Sequence, residues 1–576
     1  MLFGVCAVLL LAWCAGMFGR GFWTPDEPRE ADIAWRMSWQ TDKAVPVLAG
    51  DAFCEKPPLT YWAAALPISR LGMHPWVARL PNLLYAMITA VCVGLLARRL
   101  AGPPAGIAAA AAVGTFLLGY QVAIWFATDA PLLAFTSLAL LGLHQGFSAA
   151  GSRDRLFGYT LMHIALALGF LSKSAFGWLV PALCLAALIV WERRWRELLR
   201  WELYAGLLVQ AALILSWVWF VYAGPDGLAR LKVFFWNNLA GRFTNVAAPA
   251  ELQYAKAHRN SPGKYFLELP VYLWPWTFLL IAAIRKAWRE GFRSAAVRFA
   301  AASSVPALLL LSLAATARNV YLGPAIPGFA LLLGWWAAQL SEPRDPWDVR
   351  AMKGTAVLLI IAAVFAAIAL KLLTLDAQST AQPEAQPARM PIIIAAAGIL
   401  SALYLAIDSW RRADRAAGSG ALGAMFFSFG ALLIAPAWSA YSQIDRWQNL
   451  AQLGSQIKAD ILGRPLILMA PDETTRALVD LYVGTRILLV PEADVRGRMR
   501  ALAQITAQNP ASRVLIQIEG REYSPLISTL AGALKRKENS GATAWEPAWL
   551  EVAHLRIAKR YALPNGRRYA LLEPAG

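Results

Sequence analysis

Long apolar runs, broken by short polar connections, set the rhythm of this chain. Crossing about 30 Å of hydrocarbon takes about 20 helical residues at ~1.5 Å each. Runs near that length fall at 1–18, 76–98, 104–121, 127–148, 156–171, 174–191, 202–223, 267–285, 298–316, 320–340, 353–373, 390–408 and 419–441. The pattern predicts thirteen membrane-spanning helices. The first run faintly suggests a secretory or lipoprotein signal at Leu10–Cys14, but its start lacks Lys and Arg and Trp13 is bulky, so it is read as a span. After residue 442 the rhythm changes. The β-rich runs Pro465–Met469, Thr485–Val490 and Arg513–Ile518 alternate with helical patterns at Glu473–Tyr482 and Pro491–Gln508, which predicts a small α/β domain. The expected fold class is a polytopic α-helical membrane protein, with interfacial external helices and a C-terminal α/β domain. The expected boundary divides residues 1–441 from 442–576.

Composition agrees with this pattern. Of 576 residues, 58% are hydrophobic and 16% charged, against about 45–50% apolar and roughly 25% charged in soluble proteins. A disordered chain and a single soluble domain are excluded. The net charge of +18 is distributed unevenly. Lys and Arg cluster in the connections at 98–103, 149–155, 192–201, 285–298, 341–353 and 409–418, while the short connections at 122–126, 172–173, 317–319 and 374–389 are nearly free of them. The positive-inside rule then puts the first group in the cytoplasm and the C-terminal domain outside. Charge held in loops makes nucleic acid a poor partner. Five cysteines without paired spacing suggest neither zinc nor a redox motif, and the C-terminal runs contain no G-x-G-x-x-G or Walker pattern. Residues 374–389, rich in Ala, Gln and Pro, read as an external linker.

Three external stretches exceed turn length: 19–75, 224–266 and the region after 442. Chemistry is expected there. The first contains Thr24-Pro25-Asp26-Glu27-Pro28-Arg29-Glu30. A structural reading makes Thr24, Pro25 and Glu27 a capping box, with Asp26 complementing the helix dipole. Ile33, Ala34, Met37 and Trp39 then form the apolar face of an interfacial helix. A functional reading makes the same acids the polar wall of a lipid-facing pocket. Glu55 and Lys56 begin a second cluster, followed by Pro57-Pro58 and Tyr61-Trp62; they are either a solvated pair or the opposite wall. Asp129 opens the fourth run, as helix cap or as functional acid at membrane depth. Lys173 and Arg318 are lone cations in short external connections, where an anion would repay them. In the 224–266 stretch Arg242 follows Phe234-Phe235-Trp236, as phosphate ligand or interfacial anchor.

At these residues the sequence resembles the GT-C superfamily of membrane glycosyltransferases. Within it the chain is most similar to the branch holding bacterial aminoarabinose lipid A transferases and protein O-mannosyltransferases. The resemblance rests on Asp26-Glu27 with Arg29, Glu55-Lys56-Pro57 with Tyr61-Trp62, Ala78-Arg79-Leu80-Pro81, Thr128-Asp129, Phe234–Trp236 with Arg242-Phe243, and Tyr321-Leu322 followed by Pro324 and Pro327. It departs at Glu30, where that branch commonly carries Tyr, at Pro58, and in the spacing after Tyr321.

The resemblance implies that Asp26 is the principal catalytic or sugar-binding acid, with Glu55 and Asp129 near it. Lys56, Arg29, Lys173 and Arg242 would meet the donor phosphate, with Tyr61 and Tyr321 also on the substrate side. The implied donor is an undecaprenyl-phosphate-linked sugar and the implied acceptor lipid A. The implied place is a bacterial inner membrane, with the site facing the periplasm, and a monomer is expected. No compact triad of metal ligands stands out, so no metal is inferred, and Glu55 is the first position to inspect for a divalent ion. If the acceptor is a phosphate, Asp26 need not act as a base; a hydroxyl acceptor would require it to remove a proton. Two rivals remain at this stage: another polyprenyl-phosphate-dependent glycosyltransferase, and a transporter of lipid-linked sugars.

Overall fold

The computed structural model describes all residues except 1, 238–260, 315–317, 341–344, 380–388, 415–417, 470, 491–494, 520–554 and 575–576. Apolar runs become helices because a backbone in hydrocarbon must satisfy its hydrogen bonds within its own segment. Helix α1 (Leu2–Met17) is followed by two external helices, α2 (Asp26–Trp39) and α3 (Leu59–Leu71), joined by the small hairpin β1 (Val47–Leu48) and β2 (Asp51–Ala52). Then come α4 (Pro75–Ala101), α5 (Pro103–Thr115), α6 (Leu117–Ile124), α7 (Asp129–Ser148), α8 (Ser152–Lys173), α9 (Phe176–Trp191), α10 (Trp201–Tyr222) and the short α11 (Gly227–Leu231). After the undescribed stretch follow α12 (Lys264–Tyr272), α13 (Thr277–Arg289), α14 (Ala295–Ser312), α15 (Ile326–Ala338), α16 (Pro346–Ser379), α17 (Arg389–Arg412) and α18 (Gly418–Ile434).

Among the described residues eight helices are long and apolar enough to cross a membrane. The chain is a multi-span membrane protein. The run at 104–121 is broken into α5 and α6 at 65°, and the run at 267–285 into α12 and α13 at 115°. In the second case Trp274-Pro275-Trp276 interrupts the helix, because proline removes an N–H and crowds the preceding turn. The expected linker at 374–389 begins late: α16 continues to Ser379.

One hairpin matters for the site. In α7 and α8, a Cβ on Gly158 would stand 2.2 Å from the backbone nitrogen of Gly146, and one on Gly142 2.6 Å from that of Met162. Glycine at these positions lets the two backbones touch. The antiparallel pair therefore brings the first residue of α7, Asp129, beside the last of α8, Lys173.

The C-terminal part contains α19 (Ala437–Trp447), α20 (Leu450–Ile461), β3 (Leu466–Met469), α21 (Glu473–Leu478), β4 (Ile487–Val490), α22 (Val495–Gln508), β5 (Arg513–Glu519), β6 (Leu555–Ala562) and β7 (Arg568–Pro574). The five strands form one sheet in the order β4-β3-β5-β7-β6. β4, β3 and β5 are parallel, with β4 at one edge, while β7 and β6 add antiparallel strands on the other side. The three strands expected from sequence are present; β6 and β7 were not foreseen. A separate apolar cluster links α2, α3 and the start of α4 through Ile33, Met37, Tyr61 and Val77, and it includes Ala477 of α21. The C-terminal part thus packs onto the external helices.

Candidate active site

Helix α2 is buried almost all round. Glu27, Arg29, Glu30 and Asp32 are covered as well as Ile33, Ala34 and Met37, whereas Trp39 is exposed. An interfacial helix with a wet polar face does not describe it: its charged side meets protein. The capping box is also absent, since the Thr24 hydroxyl donates to Gln448 Oε1 at 2.7 Å and no side chain caps the helix.

Glu27 instead anchors the loop. Its carboxylate receives Arg20 at 2.7 and 3.1 Å and Arg79 at 2.7 and 2.9 Å. The backbone N–H groups of Trp23 and Phe126 add two bonds at 2.8 Å. Burial alone would raise its pKa, but the two guanidinium groups prevail and hold it down at about 2. This buried ion cluster ties α2 to α1, α4 and the turn before α7.

The next turn of α2 carries Arg29 and Glu30. Glu30 Oε1 accepts from Lys56 Nζ at 2.7 Å and from Arg29 at 2.6 and 3.2 Å, and Glu30 Oε2 accepts from the Tyr61 hydroxyl at 2.7 Å. Burial opposes its ionisation, yet Lys56 and Arg29 keep it charged with a pKa near 2. Lys56 is thus no solvated surface group. Burial and the charge of Glu30 push the Tyr61 hydroxyl far above its usual range. Glu55, next in chain to Lys56, acts electrostatically on Arg29, Lys56 and Tyr61.

Asp26 lies at the partly open rim. Its Oδ1 accepts from Arg29 Nη2 at 3.1 Å and Arg318 Nη1 at 3.0 Å. Burial raises its pKa, but Arg29, Arg318 and Lys56 outweigh that and hold it below the ordinary carboxylate value. Four expected site residues therefore converge with Asp26: Arg29, Glu55, Lys56 and Tyr61. Asp129 forms a second pair, with Lys173 Nζ at 2.5 Å from its Oδ1, and Lys173 also stands 4.6 Å above the Tyr321 ring. The two groups are linked through backbone, because Tyr321 N–H donates to the Arg318 carbonyl at 3.1 Å. The expected ligand Arg242 lies outside the described residues.

Sequence reasoning missed Glu30, Glu27 with Arg20 and Arg79, and Glu473, which pairs with Arg29. A signal existed for Arg79, an ionisable residue inside an apolar run. None existed for Glu473, which comes from α21. Among the described residues no three His, Cys, Asp or Glu side chains converge as metal ligands.

Comparison with known proteins places this geometry in a family context. A family model for dolichyl-phosphate-mannose-protein mannosyltransferases matches residues 55–220. The undecaprenyl phosphate-alpha-4-amino-4-deoxy-L-arabinose arabinosyl transferase of Pseudomonas aeruginosa strain PAO1 is 32% identical over 337 residues, covering 57% of this chain and 59% of the relative. The Pseudomonas paraeruginosa protein of the same name is 30% identical, over 64% of this chain and 65% of its own length. The chain thus spans somewhat less than two thirds of these curated relatives. The crystal structure of ArnT from Cupriavidus metallidurans bound to undecaprenyl phosphate superposes with a TM-score of 0.69, covering 99% of this chain and 97% of that one at 18% identity. The chain has the ArnT fold. The apo form of ArnT gives 0.67 over the same coverage. The GT-C resemblance read from the sequence is borne out by the family match and the arabinosyl transferase relatives, and the ArnT fold covers both the spans and the C-terminal sheet.

Proposed function

We propose that this protein transfers 4-amino-4-deoxy-L-arabinose from undecaprenyl phosphate to a phosphate of lipid A, at the periplasmic face of a bacterial inner membrane. The donor reading draws on the relatives' names and on the lipid bound in the solved ArnT structure. The acceptor reading draws on the state of Asp26. Cleaving the sugar from its carrier leaves a phosphate whose growing charge must be met by preorganised cations. Arg29, Lys56 and Arg318 are held at the rim by Glu30 and Asp26, with Lys173 and Tyr321 one step away. Asp26, kept ionised by three cations, is a poor proton acceptor. A phosphomonoester, with its second pKa near 6, needs no base, whereas a Ser or Thr hydroxyl does. The pairing of Asp26 with both Arg29 and Arg318 is the observation favouring a lipid A phosphate over a protein hydroxyl as acceptor. Asp26 then orients the sugar and balances positive charge building on its ring.

In the same reading residues 1–441 form the membrane-embedded catalytic domain and residues 442–576 the periplasmic α/β domain. The eight long helices, three bent pairs and two shorter apolar helices of the described residues correspond one for one to the thirteen runs, which supports thirteen crossings. The protein is expected to act as a monomer.

Purified protein in detergent, given the undecaprenyl-phosphate aminosugar and lipid A, should yield lipid A heavier by one aminopentose in mass spectrometry. Transfer to a peptide hydroxyl with none to lipid A would shift the reading to protein O-glycosylation. Transport of the donor between compartments without any transfer would make it a transporter.

A further inference from the structure

The C-terminal part reaches the site through α21, and that helix is firmly set. Asp472 accepts the Thr475 N–H at 2.8 Å and Gln517 Nε2 at 3.0 Å, and is gripped by Arg567 at 2.8 and 3.2 Å. On the other side the Thr474 hydroxyl donates to the Pro25 carbonyl at 2.9 Å, one residue before Asp26. Arg476 donates to the Leu48 carbonyl at 3.0 Å and pairs with Asp51 at 2.5 Å. Glu473, between these anchors, is delivered to Arg29 Nη1.

Arg29 is thereby filled with carboxylates. Nε and Nη2 serve Glu30, Nη2 serves Asp26, and Nη1 serves Glu473. A guanidinium has five N–H groups in a fixed fork, and binding a phosphate through two of them requires one carboxylate to leave. Glu30 is the wrong candidate, since Lys56 and Tyr61 hold it too and its side chain is 0% exposed; Asp26 is 25% exposed and held by Arg318; Glu473 is 35% exposed. The easiest to displace is Glu473. A carboxylate pushed off Arg29 by the carrier phosphate stays beside the sugar attached to that phosphate, where it can meet a positive group.

We propose that Glu473 is a specificity residue of the donor site: it occupies Arg29 in the empty protein, yields that guanidinium to the carrier phosphate, and receives the ammonium of the amino sugar. This rests on the aminosugar-transfer reading and adds to it a site residue from the C-terminal domain. A neutral sugar gains nothing from the exchange, so discrimination for the amino group resides in α21.

The test compares full-length wild type, Glu473→Gln and Glu473→Asp in detergent. Three quantities are read: the Kd for undecaprenyl phosphate alone, and KM and kcat for the aminosugar donor against its N-acetylated counterpart. With its internal competitor neutralised, Glu473→Gln should bind undecaprenyl phosphate about tenfold tighter, the scale of one charge-assisted contact. It should also lose the preference for the amino donor through KM, while kcat on the acetylated donor is retained, and Glu473→Asp should recover the preference. An unchanged Kd with an unchanged preference overturns the proposal. So does a parallel loss of affinity for phosphate and both donors, which marks a merely structural contact. If the wild type transfers neither sugar, the transfer reading fails instead, and the phosphate Kd alone decides whether Glu473 competes for Arg29.

Discussion

Asp26 and Glu27 are neighbours in sequence with opposite duties. Asp26 sits at the open rim, its charge kept by Arg29, Arg318 and Lys56, so under the proposed transfer Asp26→Asn removes charge where the transition state needs it while leaving the packing of α2 in place. Transfer should fall by roughly a hundredfold or more with an unchanged melting temperature in detergent; wild-type turnover in the folded variant would remove Asp26 from the reaction. Glu27 is inside. Arg79→Met leaves it with Arg20 alone in a buried setting, and breaking such a cluster costs about 3–5 kcal/mol. The variant should melt markedly lower, and a neutral result would mean that Glu27 is not the anchor. Asp26 was legible from its place after the first apolar run. Glu27 was misread because a Thr-Pro-x-Glu spacing also fits a helix cap, and only the distant Arg79 and Gln448 decide between the two. Glu30 was hidden for a simpler reason: its partners Lys56 and Tyr61 lie some thirty positions on.

At the next scale, α2 is a helix clamped between ionic contacts with different pH behaviour. Glu27 and Glu30 have pKa values lowered from 4.5 to about 2, so their contribution is present above pH 4.5 and is lost as pH falls toward 2. Asp32 behaves in reverse. Buried beside Asp480, its pKa is raised well above 3.8, so its contribution is complete below that value and disappears as pH rises through the raised one. Arg36 offsets part of this by pairing with Asp480 at 2.5 and 2.6 Å. Melting temperature against pH should therefore drop on the acid side between 4.5 and 2, and Glu30→Gln should blunt that drop; an identical acid limb in the variant would count against it. Asp32→Asn, which keeps a neutral hydrogen-bonding group beside Asp480, should flatten the alkaline limb relative to wild type. The two external helices themselves were readable from their proline-marked starts and apolar spacing. Their burial was not, because what covers them is the C-terminal part, and nothing in a local window announces α21.

For the molecule as a whole, apolar runs gave a nearly complete picture of the helices, since a segment that must satisfy its own backbone in lipid leaves a length signature. Breaks were less legible: the 115° turn between α12 and α13 sits inside one continuous apolar run. Strands β6 and β7 escaped because β6 carries Arg556, Lys559 and Arg560 on an edge that water can reach. The proposed thirteen crossings predict which side each connection faces. In a background without the native cysteines, a single cysteine at Gly291 should react only with reagent on the cytoplasmic side, and one at Asp51 only with reagent outside. Labelling of both from one side would break the topology.

The bond from Arg29 to Glu473 joins residues 444 positions apart. During synthesis, α2 follows the first helix out of the ribosome, yet the guanidinium of Arg29 has no Glu473 to hold until nearly the whole polypeptide has been translated. Nascent chains parked in the membrane thus hold Arg29 with one carboxylate fewer, and that guanidinium gains its last partner only when the C-terminal part has folded.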